Sequence, residues 1–199
     1  YGVYSFLEDD LGCRWYSPKV SRIPKRRTLK VTLRERIEKP AFEYREPYYT
    51  DVWDKDWASR NRVNGSFPHL DETTGGKVSY GPFVHTFYAL VPPNEFARDH
   101  PEYYSLIKGV RTVEGGQLCL ANPDVLNIAT DTVRRWIRER PEATIFSVSQ
   151  NDWTGPCECD NCRKVVEEEG AQSGIVLRFV NALAERIEKE HPDKLIDTL

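Results

Sequence analysis

Methionine is absent from these 199 residues, and residue 1 is a tyrosine. Tyr1 falls inside a helical pattern, and Leu195 to Leu199 ends the chain in what reads as a buried strand. The sequence is therefore expected to be an internal piece of a longer protein, and its lack of a signal peptide says nothing about secretion. Long apolar runs are missing too. None approaches the ~20 residues needed to cross a bilayer, so no membrane span is expected here.

Neither sign of charge dominates. Twenty-eight Lys and Arg against 31 Asp and Glu leave a formal net charge of −3, which gives no electrostatic footprint for nucleic acid. The basic run Lys25-Arg26-Arg27 borders a strand-like stretch and reads as a solvated edge. No Gly-rich phosphate loop follows a strand-like segment, because Gly115-Gly116 precedes its strand and opens no helix. No Gly-x-Ser-x-Gly elbow occurs. Cysteine is sparse: Cys13, Cys119 and the cluster Cys157, Cys159, Cys162 do not form the dense framework of a small disulfide scaffold.

Periodicity organises what is present. Val3, Phe6, Leu7 and Leu11 recur at helical spacing before Gly12, and Leu29, Val31 and Leu33 alternate as a strand over Thr28 to Leu33. A domain boundary is expected near Lys39-Pro40. Beyond it, Phe42 to Tyr49 and Phe83 to Leu90 read as strands, with a short helix within Trp53 to Arg62 and a long loop from Asn64 to Gly81. Gln117 to Ala121 reads as a short strand. Asn122-Pro123 then starts a helix with the stripe Val125, Ile128, Ala129, Val133, Trp136 and Ile137. Thr144 to Ser149 is β-rich, Ser173 can cap a second amphipathic helix ending before Pro192, and Leu195 opens another strand. Two strand–helix–strand crossovers in a row imply parallel strands with helices outside. The predicted fold is α/β: the first half of a (β/α)8 barrel over residues 40–199, preceded over residues 1–39 by the C-terminal part of a small α/β domain.

Barrel chemistry stands at the C-terminal ends of strands, which singles out Gln150-Asn151-Asp152-Trp153. Asp152 is a carboxyl that could protonate a departing glycosidic oxygen, aided by an apolar ring beside it. Asn151 could orient a substrate group. Equally, Asp152 could cap a turn and Asn151 bond its own backbone. In the following loop, Cys157, Cys159 and Cys162 with one outside ligand such as Cys119 could hold structural zinc. A Cys157–Cys162 disulfide or free thiols are the alternatives, and any of the three would staple the Asp152 segment. Aromatic rings crowd the first two strand ends, where they suit sugar faces or barrel core. Arg45 needs acceptors if buried, and a sugar diol or Glu46 would serve. Asn61 sits in a second polar cluster with Arg60 and Arg62. His85 fits a ligand contact or a hydrogen-bonded structural histidine, and His100 reads as structural.

Gly2-Val3-Tyr4-Ser5-Phe6-Leu7-Glu8 with Gly12-Cys13-Arg14-Trp15, Phe42 to Tyr49, His100 to Tyr104, and Ser149 to Trp153 with the three cysteines resemble one bacterial family. It is the domain-of-unknown-function 4838 family, later grouped with glycoside hydrolases and related to hexosaminidase and α-glucuronidase barrels. The resemblance implies a secreted, periplasmic or cell-surface endo-β-N-acetylglucosaminidase. Its substrate would be an oligosaccharide or glycoprotein N-glycan, with the substrate's own acetamide as nucleophile and no required cofactor. Asp152 would then be the proton donor, Asn151 would orient the acetamide and Arg45 would hold the sugar; Asn61, His85, Gln150 and Trp153 are further candidate substrate contacts from the reading of the residues themselves. An α-glucuronidase-like hydrolase and a non-catalytic glycan-binding or scaffold protein are the rival expectations.

Overall fold

The structure, a computed structural model, describes residues 1–32 and 35–198. The chain divides into two compact units, residues 1–79 and 80–199. This division falls well beyond Pro40, where the sequence places its boundary.

In the first unit, α1 (Gly2–Asp9) is followed by Gly12, whose φ of +76° lets the Cys13 amide turn back onto the Leu7 carbonyl at 3.0 Å. The antiparallel hairpin β1 (Arg14–Ser17) and β2 (Val20–Arg22) follows. Tyr4, Leu7 and Leu11 pack on a small core that includes Cys13, Trp15, Val52 and Trp57. A 3-10 turn, Thr50–Trp53, leads into α2 (Lys55–Arg60), capped by the Asp54 carboxylate accepting from Trp57 N at 2.7 Å. Two expected strands do not form. Residues 28–32 carry no strand and Leu29 is exposed, while Leu33 lies outside the described residues. Residues 42–49 are likewise irregular. Alternation supplies a face, but a strand also needs a neighbour to share its N–H and C=O groups. Around Arg45 the partner is the single residue Asn64: its side chain accepts from Arg45 N at 2.9 Å and donates to the Glu43 carbonyl at 2.7 Å, and its main-chain N donates to Arg45 O at 3.2 Å.

The second unit carries parallel pairing. Tyr80 bridges Ile145, the Gly81 amide donates to Ile145 O (2.8 Å), and Ser147 N donates to Pro82 O (3.3 Å). The run expected to continue as a strand to Leu90 breaks at once. Val84 and His85 take positive φ, +38° and +51°, and α3 (Phe87–Leu90) begins. After α4 (Pro93–Phe96) comes the hairpin β3 (Leu106–Ile107) with β4 (Val110–Arg111). Residues 117–121, read as a strand from sequence, make only an antiparallel bridge from Leu118 to Tyr104.

The helical readings fare better. Asn122 accepts from Asp124 N at 2.9 Å and opens α5 (Pro123–Glu139), whose stripe buries Val125, Ala129, Val133, Trp136 and Ile137. Then follow β5 (Ile145–Ser147), α6 (Asp160–Glu169), α7 (Gln172–Glu188) and β6 (Leu195–Asp197). Ala171 occupies the N-cap of α7, so Ser173 lies within its first turn rather than capping it. β5 and β6 pair in parallel register, Ile145 with Leu195 and Ser147 with Asp197.

Successive strand residues point to opposite faces. Phe146 and Val148 enter the core with Phe87, Phe179 and Leu183, each such buried side chain contributing roughly 1.5–3 kcal/mol. Gly81 lies under the Phe146 ring, where a Cβ would meet a ring carbon at 2.5 Å. Ser147, in register with Asp197, takes the other face, and the Tyr80 hydroxyl donates to Asp197 Oδ2 at 2.5 Å. The order Tyr80–Pro82, β5, β6 with helical crossovers is shared by β/α barrels and doubly wound sheets. No sheet among the described residues closes into a barrel.

Candidate functional site

Beyond β5 the chain runs through buried Val148 and Ser149 to Gln150 and then turns sharply. Trp153 N donates to Asn151 O at 2.8 Å, which makes Asp152 the apex of a three-residue turn. The turn is clamped from beneath by Gln117, a buried residue that the sequence does not mark as special. Its Oε1 accepts from Asn151 N (2.8 Å), and its Nε2 donates to the carbonyls of Asn151 (2.9 Å) and Trp153 (2.7 Å). Asn151 is buried and its Nδ2 donates to Gly116 O at 3.2 Å, a carbonyl that also accepts from the Trp153 indole N–H. The sequence signal for Gln117 is weak, a polar residue at the head of an apolar run.

Asp152 stands exposed at this apex. The Trp153 ring is half exposed and meets Tyr88 edge-on at 6.1 Å. Gln150 is exposed, and its carbonyl pairs with His85 Nδ1 at 3.0 Å. His85, Gln150, Asn151, Asp152 and Trp153 are thus brought to one rim. A cavity of about 250 Å³ opens beside them, lined among others by Phe87, Gln117, Gln150, Trp153 and Cys157. Its size suits a small group rather than an extended ligand.

Arg45 and Asn61 belong to the first unit. Arg45 Nε donates to Arg62 O (2.8 Å) and one terminal nitrogen to Phe42 O (2.7 Å), with the guanidinium over the Tyr1 ring at 5.9 Å. Main-chain carbonyls, not Glu46, serve it. Glu46 instead accepts from Phe67 N at 2.9 Å, and burial pushes its carboxyl above the usual range. Asn61 donates to the carbonyls of Trp57 (3.0 Å) and Trp15 (3.4 Å) and closes α2. His100 stacks on Tyr103 at 4.7 Å and pairs with Glu102, as befits a structural residue. Of the crowded rings, Trp57 and Phe87 are core, whereas Tyr48, Tyr49 and Trp53 are exposed.

Asp197 is a group the sequence reading does not single out. It ends β6, on the face shared by Ser147 and Tyr80, and its Oδ1 is buried with no hydrogen-bond partner. Such a carboxylate oxygen is costly without a ligand.

Cys119 joins Cys157, Cys159 and Cys162, and the four sulfurs lie within 4.8 Å of one another. This group could hold a metal ion. Cys159 is the N-cap of α6, and Cys162 sits in its first turn. The Cys157 sulfur accepts from Leu106 N (3.4 Å) and from Arg111 (3.6 Å). Crowding splits the titrations. A hydrogen bond to Cys157 pushes the Cys119 thiol up to about 12, and Cys162 is raised by hydrogen bonds to Cys119 and Cys157. Cys157, accepting from both, is lowered.

No helix among the described residues is long and apolar enough to cross a membrane. No curated protein and no solved structure matches the chain. A family model does match over residues 15–199, and the chain therefore belongs to the family described as Domain of unknown function (DUF4838).

Proposed function

We propose that this chain is part of a glycoside hydrolase acting on N-acetylglucosamine-containing glycans, an endo-β-N-acetylglucosaminidase working by substrate-assisted retention. The observation that carries this reading is the placement of polar groups just past adjacent parallel strands: Gln150 to Trp153 beyond β5, and Asp197 at the end of β6. Carboxyls at strand ends are where a β/α barrel performs its chemistry, and a half-barrel over residues 40–199 is the architecture this reading requires. Asp152 gives its proton to the glycosidic oxygen as the C–O bond breaks. The carbonyl oxygen of the substrate's acetamide attacks the anomeric carbon, and water later opens the cyclic intermediate. Asp197, with an unsatisfied oxygen, is the second carboxylate we assign, oriented by the Tyr80 hydroxyl. The Asn151 amide is committed to Gly116, so Asn151 shapes the turn and the exposed Gln150 amide meets the sugar together with Trp153 and His85. Arg45 and Asn61, engaged by carbonyls of the first unit, contribute to this reading only as scaffold.

No cofactor is required, and zinc at the cysteine cluster would be a structural staple. A secreted, periplasmic or cell-surface location accompanies a glycan substrate of this kind. The test expresses the full reading frame and follows release from a complex N-glycan by the wild type, Asp152→Asn and Asp197→Asn. Loss of turnover by ~10²-fold or more in Asp152→Asn, with glycan binding kept, is the expected result. Equal product from wild type and Asp152→Asn removes Asp152 as the acid. No turnover by the wild type, with binding intact, favours a glycan-binding protein.

A further inference from the structure

The four clustered cysteines arrive from three separate places in the second unit. Cys119 lies after the Leu118–Tyr104 bridge, Cys157 and Cys159 on the loop beyond the Asp152 turn, and Cys162 in the first turn of α6. Cys119, Cys157 and Cys162 are buried, and Cys159 is partly so. Burying four adjacent thiols has little packing advantage over apolar residues, and as thiolates they repel one another.

Their spacing separates the ways of satisfying them. Cys119 Sγ lies 3.6 Å from Cys159 Sγ and 3.7 Å from Cys162 Sγ. A disulfide needs about 2.05 Å. In a tetrahedron of sulfurs with arms of about 2.3 Å, the zinc–thiolate distance, each edge is about 3.8 Å. These two separations match such edges, and all four sulfurs lie within 4.8 Å of one another. The surroundings also suit a thiolate centre. Leu106 N–H and the Arg111 guanidinium both reach Cys157 Sγ, and Cys159 and Cys162 stand in the N-cap and first turn of α6, the helix end that carries partial positive charge. Four thiolates around a divalent ion leave a charge of −2, which Arg111 partly offsets.

We propose that Cys119, Cys157, Cys159 and Cys162 bind one zinc ion in a closed tetrathiolate site. All four positions are then taken by protein, so the ion is structural. It ties the 117–121 segment to the start of α6. Gln117, two residues before Cys119, is the residue that clamps the Asn151–Trp153 turn, so the ion indirectly fixes the candidate site as well. The site does not rest on the glycosidase reading, because metal content is measured without any glycan. Cys13 belongs to the first unit and is the internal control.

The protein from the full reading frame, purified without chelator, is assayed for zinc and iron by mass spectrometry of the elements. One zinc per chain is expected, retained in Cys13→Ser and lost in Cys119→Ser. Should Cys119→Ser fail to fold, cobalt exchanged into the wild type provides a second readout, with the visible bands of a tetrahedral cobalt thiolate expected. Chelation should raise amide exchange over residues 117–121 and 150–162 while leaving residues 1–32 unchanged. Sub-stoichiometric zinc with four freely reactive thiols, a disulfide between any two of the four, or iron in place of zinc would each overturn the assignment.

Discussion

The two units are held by different means. In the first, the side chains of Asn64 and Arg45 serve amides and carbonyls of irregular backbone, and those of Asn61 and Trp57 donate to the Trp15 carbonyl on β1. In the second, α5 and α7 cover a short parallel sheet, and the largest buried side chains, Phe87, Phe146 and Leu183 among them, meet in one core. The contrast teaches where stability is lodged. The first unit joins a small apolar core to individual polar contacts, whereas the second rests on a larger shared apolar core.

The strongest way to break that contrast is at Phe146. Phe146→Ala should cost about 3–5 kcal/mol by opening a cavity between the sheet and the helices, seen as increased amide exchange throughout residues 80–198. Exchange in residues 1–32 should hold; uniform loosening of both units would mean they are not separately stabilised. Next is Arg45→Ala. Removing a charged donor from two carbonyls should cost about 1.5–3 kcal/mol, and exchange should rise around residues 42–49 and 62–64. Asn122→Ala takes away a helix cap at about 1 kcal/mol, read as a lower urea midpoint with unchanged slope. The smallest effect concerns Asp71, whose carboxyl is lowered to about 2 chiefly by the Lys55 ammonium beside it. A lowered folded pKa stabilises above the unfolded value and is lost on acidification. The melting-temperature difference between wild type and Asp71→Asn should therefore persist at neutral pH and shrink as pH falls from 3.8 towards about 2.

Legibility in the sequence follows the same division. Asn122-Pro123 and the apolar stripe of α5 were readable because cap and period are local properties of one segment. The strands ending at Ser147 and Asp197 were readable from β-rich runs beside helices. The runs Thr28 to Leu33 (over its described residues 28–32), Phe42 to Tyr49 and Phe83 to Leu90 misled, since whether an alternating run becomes a strand depends on a partner remote in sequence. At the candidate site, the Gln150 to Trp153 cluster and the joining of Cys119 to the other three cysteines could be anticipated from chemistry. Gln117 and Asp197 could not, because the roles of both are set by what lies opposite them: two main-chain carbonyls for one, the Tyr80 hydroxyl for the other.

Gly155 follows the Asp152 turn and bridges Gly116, with a built Cβ falling 2.2 Å from the Gly115 carbonyl oxygen. Its own carbonyl accepts from Ser105 Oγ at 2.8 Å and Gln117 N at 3.1 Å. Randomising the rim should thus yield an uneven harvest: varied residues recovered at the exposed apex, and a single one recovered at position 155, where two strips of backbone lie too close for any side chain to pass between them.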